Sequence, residues 1–145
     1  VPFLVRWPGK VKAGSVNPTT ICTTDFFATF AELLGKQDDI PDNAAEDSFS
    51  FFPCLGGAKE PIRPFTIHHS ISGVFAIRKG DWKLIHSSEG DRVKLFNLSD
   101  DQGETKNLAA VHPAKVKVLR GRLDAWRQSV DAKTLTPNPA WLSRK

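Results

Sequence analysis

Residues 73–85 constrain the fold of this chain more than any other segment. Apolar and polar side chains alternate on both sides of Gly80, which is the pattern of two half-buried strands joined by a tight turn. Similar short runs occur before and after this hairpin. We therefore predict an antiparallel meander of four strands, at residues 65–69, 73–78, 82–86 and 93–98.

An amphipathic helix is predicted after the sheet. Pro113 suits the first position of a helix, where a backbone N–H would be unpaired in any case. Beyond it, apolar residues recur at steps of three and four, namely Val116, Leu119, Leu123, Trp126 and Val130. This stripe is expected to cover one face of the sheet, which gives the α+β class. Residues 134–145 show no periodicity and are predicted to form an extended terminal segment.

The first part of the chain has a different pattern. Residues 3–7 predict a short buried strand that ends at a Pro-Gly pair typical of turns, and residues 19–22 predict a second strand. Thr24 is the predicted N-cap of a helix, with Asp25 near the positive end of the helix dipole. The helical spacing of apolar residues extends to Gly35, which is well placed to end that helix.

The segment that follows favours membership of a larger body. Residues 36–64 contain scattered Asp, Asn, Pro and Gly and predict a long ordered loop with one helical turn near residues 51–55. The chain also opens directly on a strand-like run and contains no methionine, so we expect it to be part of a longer protein. We interpret residues 1–64 as the end of a large α/β domain and residues 65–145 as a small C-terminal α+β subdomain.

Composition disfavours several classes of function. The 20 basic and 16 acidic residues give a net charge of +4, but the basic residues are dispersed, so no nucleic-acid partner is expected. No apolar run approaches the ~20 residues of a membrane-spanning helix, so no membrane partner is expected either. Cys22 and Cys54 lack metal-ligand and CxxC spacing. Buried free thiols are favoured for them, with a disulfide left open.

His68 and His69 are the candidate binding residues. They end a predicted strand, where alternation sends neighbouring side chains to opposite faces, so the two cannot readily serve one metal ion. We expect one imidazole to point inward with a structural role. The other is a candidate donor to an anionic or hydroxylated ligand.

A serine hydrolase triad and a calcium loop are both disfavoured. Ser70 and Ser72 lie near the histidines, but the chain has no G-x-S-x-G elbow, and these serines suit a turn between strands. The acidic residues Asp100, Asp101 and Glu104 lack the spacing of an EF-hand loop. Turn formation and capping are favoured for them.

Two further patterns have ordinary explanations. Asn97 begins an N-x-S glycosylation pattern, which is short and common by chance. Arg78, Lys79 and Lys83 could form a basic rim beside the hairpin, although such residues on strands more often provide solubility and edge protection. Trp82 is expected to anchor the sheet in the core.

Five segments, taken in order, carry a family resemblance. They are residues 1–9 (VPFLVRWPG), 24–30 (TDFFATF), 46–50 (EDSFS), 76–85 (AIRKGDWKLI) and 103–108 (GETKNL). Five matches in the right order are far more specific than one, and together they resemble the C-terminal part of the sulfatase family, in the alkaline-phosphatase-like superfamily. The chain departs from the family at Phe96 and Asn97, where tyrosine and aspartate are common, and at Gln102, where proline is common.

The resemblance implies the family's chemistry only for a longer protein. Sulfatases use a formylglycine made from Cys or Ser in a C/S-x-P-x-R motif and a calcium ion held mainly by acidic residues. Neither Cys22 nor Cys54 lies in such a motif, so no catalytic residue and no metal ligand is carried over. Calcium and formylglycine are expected in the full-length enzyme, within a missing N-terminal sulfatase domain. A periplasmic or secreted location is also implied.

Family analogy places the small sheet at the edge of the substrate cleft. His68 and His69 are therefore candidate contacts to a sulfated small molecule or glycan. We expect the chain to be the C-terminal portion of a sulfatase that hydrolyses sulfate esters, contributing packing and part of the cleft but inactive alone. The alternative is a non-catalytic module that binds sulfated or anionic glycans, a function suited to the net positive charge and the absent nucleophile.

Overall fold

The chain divides into two compact units, Val1–Pro64 and Phe65–Lys145. A computed structural model describes residues 2–41, 44–87 and 91–130 of these units. The predicted extended segment at residues 134–145 lies outside the described residues. None of the helices in the described ranges has the length and apolar character needed to cross a membrane.

The described part of the first unit contains three short helical elements. Helix α1 spans Asp25–Leu33, a 3-10 turn spans Gln37–Asp39, and helix α2 spans Phe52–Leu55. The predicted helix before Gly35 and the predicted helical turn near residues 51–55 are therefore confirmed. The 3-10 turn was not predicted.

The strand predicted at residues 19–22 is wrong. The backbone N–H of Thr19 donates to Asn17 Oδ1 at 3.0 Å, and that of Cys22 donates to Asp25 Oδ2 at 2.6 Å. These amides are thus bound by side chains rather than by a neighbouring strand. The local apolar pattern could not reveal this competition, because it carries no information on which acceptor each amide meets.

The strand predicted at residues 3–7 is also wrong, and its side chains are not buried. No strand is assigned to it, and no strand in the described ranges pairs with it. Leu4 is 92% exposed. Phe3 instead joins an aromatic cluster, with its ring centroid 5.3 Å from that of Phe26 and 5.7 Å from that of Phe51. A strand needs a partner for its backbone groups, and the apolar run alone does not supply one.

A buried carboxylate organises this unit. Asp25 is fully buried and forms an ion pair with Arg63. Its two oxygens also accept hydrogen bonds from the backbone N–H groups of Cys22 (2.6 Å) and Phe49 (3.0 Å). Thr24 precedes α1 but has helical backbone angles and makes no side-chain cap. Asp25 therefore ties three separate segments together, a role beyond the dipole interaction predicted for it.

The second unit contains the predicted sheet. Its strands are β1 (Thr66–His69), β2 (Val74–Lys79), β3 (Trp82–Ser87) and β4 (Arg92–Asn97), and all neighbours are antiparallel in the order β1-β2-β3-β4. Helix α3 (Pro113–Ser129) follows the sheet. The four-stranded meander, the C-terminal helix and the α+β class are confirmed.

The turn between β2 and β3 fixes the register of the sheet. Lys79 pairs with Trp82, so only Gly80 and Asp81 form the loop. Gly80 has a φ of +57°, a left-handed value that glycine adopts without a steric penalty. With the turn fixed, alternate residues of both strands face the same side of the sheet.

The core lies between this sheet and α3. One row of apolar residues runs across all four strands, consisting of Ile67, Ile77, Leu84 and Leu95. Leu119 and Leu123 of α3 belong to the same cluster. Leu84 and Leu123 are both fully buried, and Trp82 packs against the cluster as predicted.

The segment after β4 returns to that strand. Asn107 Oδ1 accepts hydrogen bonds from the backbone N–H groups of Leu95 and Ala109, both at 3.0 Å. The N–H of Leu108 then donates to the carbonyl oxygen of Leu95 at 2.8 Å. Both backbone groups of Leu95 are thus satisfied by the segment that leads into α3.

Candidate functional site

The two predicted binding residues lie at the end of β1, on opposite faces of the sheet. His68 pairs with Ala76 and His69 pairs with Phe75, so the predicted alternation is confirmed. Both histidines are exposed. One of them, His69, does lie on the core face as expected, but it is not buried, because β1 is the first strand in the sheet order and leaves both rings near the rim of the sheet.

His68 lies on the face of the sheet opposite the core row. Its Nε2 is 3.2 Å from Thr66 Oγ1, a neighbour two residues away on the same face. Thr66 itself is buried. This contact orients the imidazole of His68 while the ring stays accessible to solvent.

His69 lies on the core face, at the rim. Its ring centroid is 4.4 Å from that of Phe75, at an interplanar angle of 44°. His69 begins a second row of paired residues across the sheet, which continues through Phe75 and His86 to Val93. His86 is buried, so His69 is the accessible imidazole of the two in this row.

The sequence did not predict the arginine at this end of the sheet. Arg127 lies in the last turn of α3, and its Cζ is 4.8 Å from the centroid of the Phe75 ring. Its Nε is buried without a hydrogen-bond partner. The sequence indicated this arginine only through its position four residues after Leu123, at the margin of the apolar stripe of the helix.

An acidic residue, Asp91, links His86 of this row to Arg120 of α3. Asp91 Oδ1 lies 2.9 Å from His86 Nε2, and both guanidinium NH groups of Arg120 donate to the Asp91 carboxylate, at 2.7 and 3.2 Å. The hydrogen bond with His86, followed by that from Arg120, lowers the pKa of Asp91. Arg120 also lies 3.8 Å from Asp124.

We expect this contact to weaken in acid. Because the pKa of Asp91 is lowered in the folded protein, its contribution to stability is complete above the pKa of the unfolded chain, about 3.9, and is lost as the pH falls through the lower folded value. Thermal unfolding of native protein and of Asp91→Asn, measured from about pH 6 down to pH 2, should give midpoints that converge below about pH 4. A constant difference between the two proteins across this range would contradict the expectation.

The other sequence candidates have structural roles. Ser70 Oγ lies 2.9 Å from Ser72 Oγ and accepts a hydrogen bond from the N–H of Val74, as the turn interpretation predicts. Asp101 accepts hydrogen bonds from the N–H groups of Lys106 and Thr105. These bonds, that from Lys106 first, lower the pKa of Asp101.

The predicted basic rim is only partly free. Lys83 forms an ion pair with Glu104, and Arg78 Nε donates to the carbonyl oxygen of Gly80 at 3.0 Å. Lys79 is exposed. Asn97, the first residue of the glycosylation pattern, donates through Nδ2 to Asp100 at 2.6 Å.

The described residues do not fit the cofactors implied by the resemblance. Within residues 2–41, 44–87 and 91–130, no three His, Cys, Asp or Glu residues are grouped so that they could hold a metal ion. Cys22 and Cys54 are free thiols, and neither lies in a C/S-x-P-x-R motif. Burial raises the pKa of the Cys22 thiol, which disfavours its reactive thiolate form.

Comparison with known proteins identifies related sequences. The family model of the N-sulphoglucosamine sulphohydrolase C-terminal region matches residues 1–129. The chain is 31% identical over 139 residues to an N-acetylgalactosamine-6-O-sulfatase of Bacteroides thetaiotaomicron, covering 86% of this chain and 27% of that protein. It is 27% identical over 124 residues to arylsulfatase K of Danio rerio, covering 78% of this chain and 23% of that protein. The chain thus spans about a quarter of the length of these curated relatives.

Solved structures share the fold. One, from a study of the metabolism of multiple glycosaminoglycans by Bacteroides thetaiotaomicron, superposes with a TM-score of 0.74 at 30% identity and covers 88% of this chain and 29% of that chain. Another, in complex with its substrate D-glucosamine-2-N,6-O-disulfate, has a TM-score of 0.70 at 24% identity and covers 91% of this chain and 28% of that chain. This second likeness concerns the fold alone.

Proposed function

The chain belongs to the N-sulphoglucosamine sulphohydrolase C-terminal family, and on this premise we propose that it acts as the C-terminal portion of a sulfatase that hydrolyses sulfate esters. The observation that carries the proposal is the family match over residues 1–129. The substrate class proposed is a sulfated saccharide, because a relative with 31% identity is an N-acetylgalactosamine-6-O-sulfatase. The chain contributes packing and part of the wall of the substrate cleft.

The catalytic centre is proposed to lie in a part of the protein that precedes this region. Formylglycine and calcium, as expected for the family, would belong to that part, because the described residues offer neither the motif nor a ligand set. No step of the reaction is assigned to Cys22 or Cys54. Under this proposal residues 1–64 are the end of the large α/β domain and residues 65–145 are the small C-terminal subdomain.

Exposed apolar side chains support this division of the protein. Phe27, Phe30 and Leu34 are 55%, 54% and 72% exposed, and their spacing of three and four places them on one side of α1. A cluster of large apolar side chains on a soluble surface typically marks a contact. We assign this side of α1 to packing against the rest of the large domain.

His68 and His69 remain proposed substrate contacts. Both are exposed at one end of the sheet, and a neutral or protonated imidazole can donate a hydrogen bond to a sulfate or hydroxyl oxygen. They bind and orient in this proposal, and neither is assigned a catalytic role.

A comparison of two polypeptides tests the proposed function. The 145-residue chain and the product of the complete reading frame that contains it are each assayed with an aryl sulfate and with N-acetylgalactosamine 6-sulfate. We expect turnover only from the complete product, because the described residues lack a nucleophile motif and a metal-ligand group.

The control is the complete product with the Cys or Ser of its C/S-x-P-x-R motif replaced by alanine, which should be inactive. Turnover by the 145-residue chain alone, or a complete product that hydrolyses no sulfate ester, would refute the proposal. The glycan-binding module is not favoured, because the family and the relatives named above are sulfatases.

A further inference from the structure

Two side chains that can bind an anion adjoin one buried ring at the end of the sheet. Phe75 is only 3% exposed. Arg127 Cζ lies 4.8 Å from its ring centroid, and the His69 ring centroid lies 4.4 Å from it. The aromatic ring supports the guanidinium through a cation–π contact and limits the orientations that it can adopt.

Arg127 has a guanidinium donor that no hydrogen-bond acceptor in the described part of the chain meets. Its Nε is buried without a hydrogen-bond partner, an arrangement that is costly and uncommon in folded proteins. No carboxylate among the described residues forms an ion pair with it, whereas Arg120 on the same helix is bound by Asp91 and lies 3.8 Å from Asp124. Among the residues that the structure describes, Asp91 and Asp124 are thus engaged by Arg120, and neither forms an ion pair with Arg127.

We propose that Arg127, with His69 beside it, recognises a second oxyanion of a sulfated saccharide, distinct from the sulfate that is hydrolysed. This inference rests on the proposed function for the nature of the substrate. A planar guanidinium donates two parallel hydrogen bonds to a carboxylate or sulfate group. The second oxyanion is therefore a uronate carboxylate or another sulfate ester, and the two share this chemistry.

The test compares substrates with and without a second oxyanion, using the complete product of the reading frame. An aryl sulfate carries only the sulfate that is cleaved. Two disaccharides each carry that sulfate and one further group, a uronate in one and a second sulfate in the other. Kinetic constants are measured for native protein, Arg127→Gln, Arg127→Lys and the control Arg122→Gln, which replaces an exposed arginine of the same helix.

We expect Arg127→Gln to raise KM for at least one disaccharide by about 10- to 100-fold, with kcat little changed because the second oxyanion is not the group that reacts. Hydrolysis of the aryl sulfate should be unaffected. Arg127→Lys should fall between native protein and Arg127→Gln, because it keeps the charge but loses the planar fork. Arg122→Gln should match native protein. The disaccharide that is affected identifies the oxyanion as carboxylate or sulfate.

Three results would overturn the inference: equal losses on the aryl sulfate and the disaccharides, equal effects of Arg122→Gln and Arg127→Gln, or no effect on either disaccharide. A complete product that hydrolyses the aryl sulfate but shows any of these would leave the proposed function intact. If the complete product hydrolyses nothing, the proposed function fails. Calorimetric titration of native and Arg127→Gln protein with the two disaccharides then decides the inference separately.

Discussion

Replacing Asp25 by alanine is expected to lower the free energy of unfolding of the first unit by about 3–5 kcal/mol, since removing one partner of a buried ion pair leaves the other charge uncompensated. The side chains of Asp25 and Arg63 are 0% and 10% exposed. The substitution also removes the acceptor for the backbone N–H groups of Cys22 and Phe49. The measurement is urea unfolding monitored by hydrogen exchange at the backbone amides of Cys22 and Phe49.

Asp39 offers a matched control in the same unit. It pairs with Lys36, but both side chains are 65% exposed, and an exposed pair typically contributes less than about 1 kcal/mol. Asp39→Ala should therefore leave the exchange of the Cys22 and Phe49 amides close to native. Equal effects of the two substitutions would show that the buried carboxylate does not organise the unit.

Leu84→Ala is expected to lower the free energy of unfolding of the second unit by about 3–4 kcal/mol, within the range for fully buried leucines. Leu84 is 0% exposed and stands between Ile77 and Leu95 in the central row of the sheet. Strands on both sides and α3 above restrict collapse around the lost methyl groups, so a cavity should remain. Denaturant unfolding monitored by hydrogen exchange at the backbone amides of β3 gives the change.

Val118→Ala is the control for this substitution. Val118 lies in α3 but is 57% exposed, so truncating it removes little buried area and should change the unfolding free energy by less than about 0.5 kcal/mol. Were Leu84→Ala equally mild, the sheet-to-helix core described for this unit would be incorrect.

The sheet could be predicted from the sequence because its determinants are local. Alternation assigns each side chain to a face, and the two-residue turn at Gly80 fixes how β2 and β3 align. The strand predicted from a similar apolar run at residues 3–7 does not form, because a strand also needs a neighbouring strand to pair with. Leu4, at 92% exposed, shows that the pattern alone does not bury a residue.

The candidate site was only partly predictable. The prediction that His68 and His69 lie on opposite faces was correct, because the facing of adjacent residues in a strand follows from the local backbone alone. Arg127 was missed because its position over Phe75 depends on how α3 is rotated against the sheet, and periodicity does not specify that rotation. The pair formed by Asp25 and Arg63 was missed for a similar reason, as the two residues are 38 positions apart.

The contacts of Asn107 and Leu108 with Leu95 affect how the protein can associate. An added strand from another molecule needs free N–H and C=O groups along an open edge. The N–H and C=O groups of Leu95 are both already hydrogen-bonded within the chain. An added strand therefore could not pair with β4 at this residue. Cross-molecule strand pairing, the first step towards ordered aggregates, is thereby hindered along this border of the sheet.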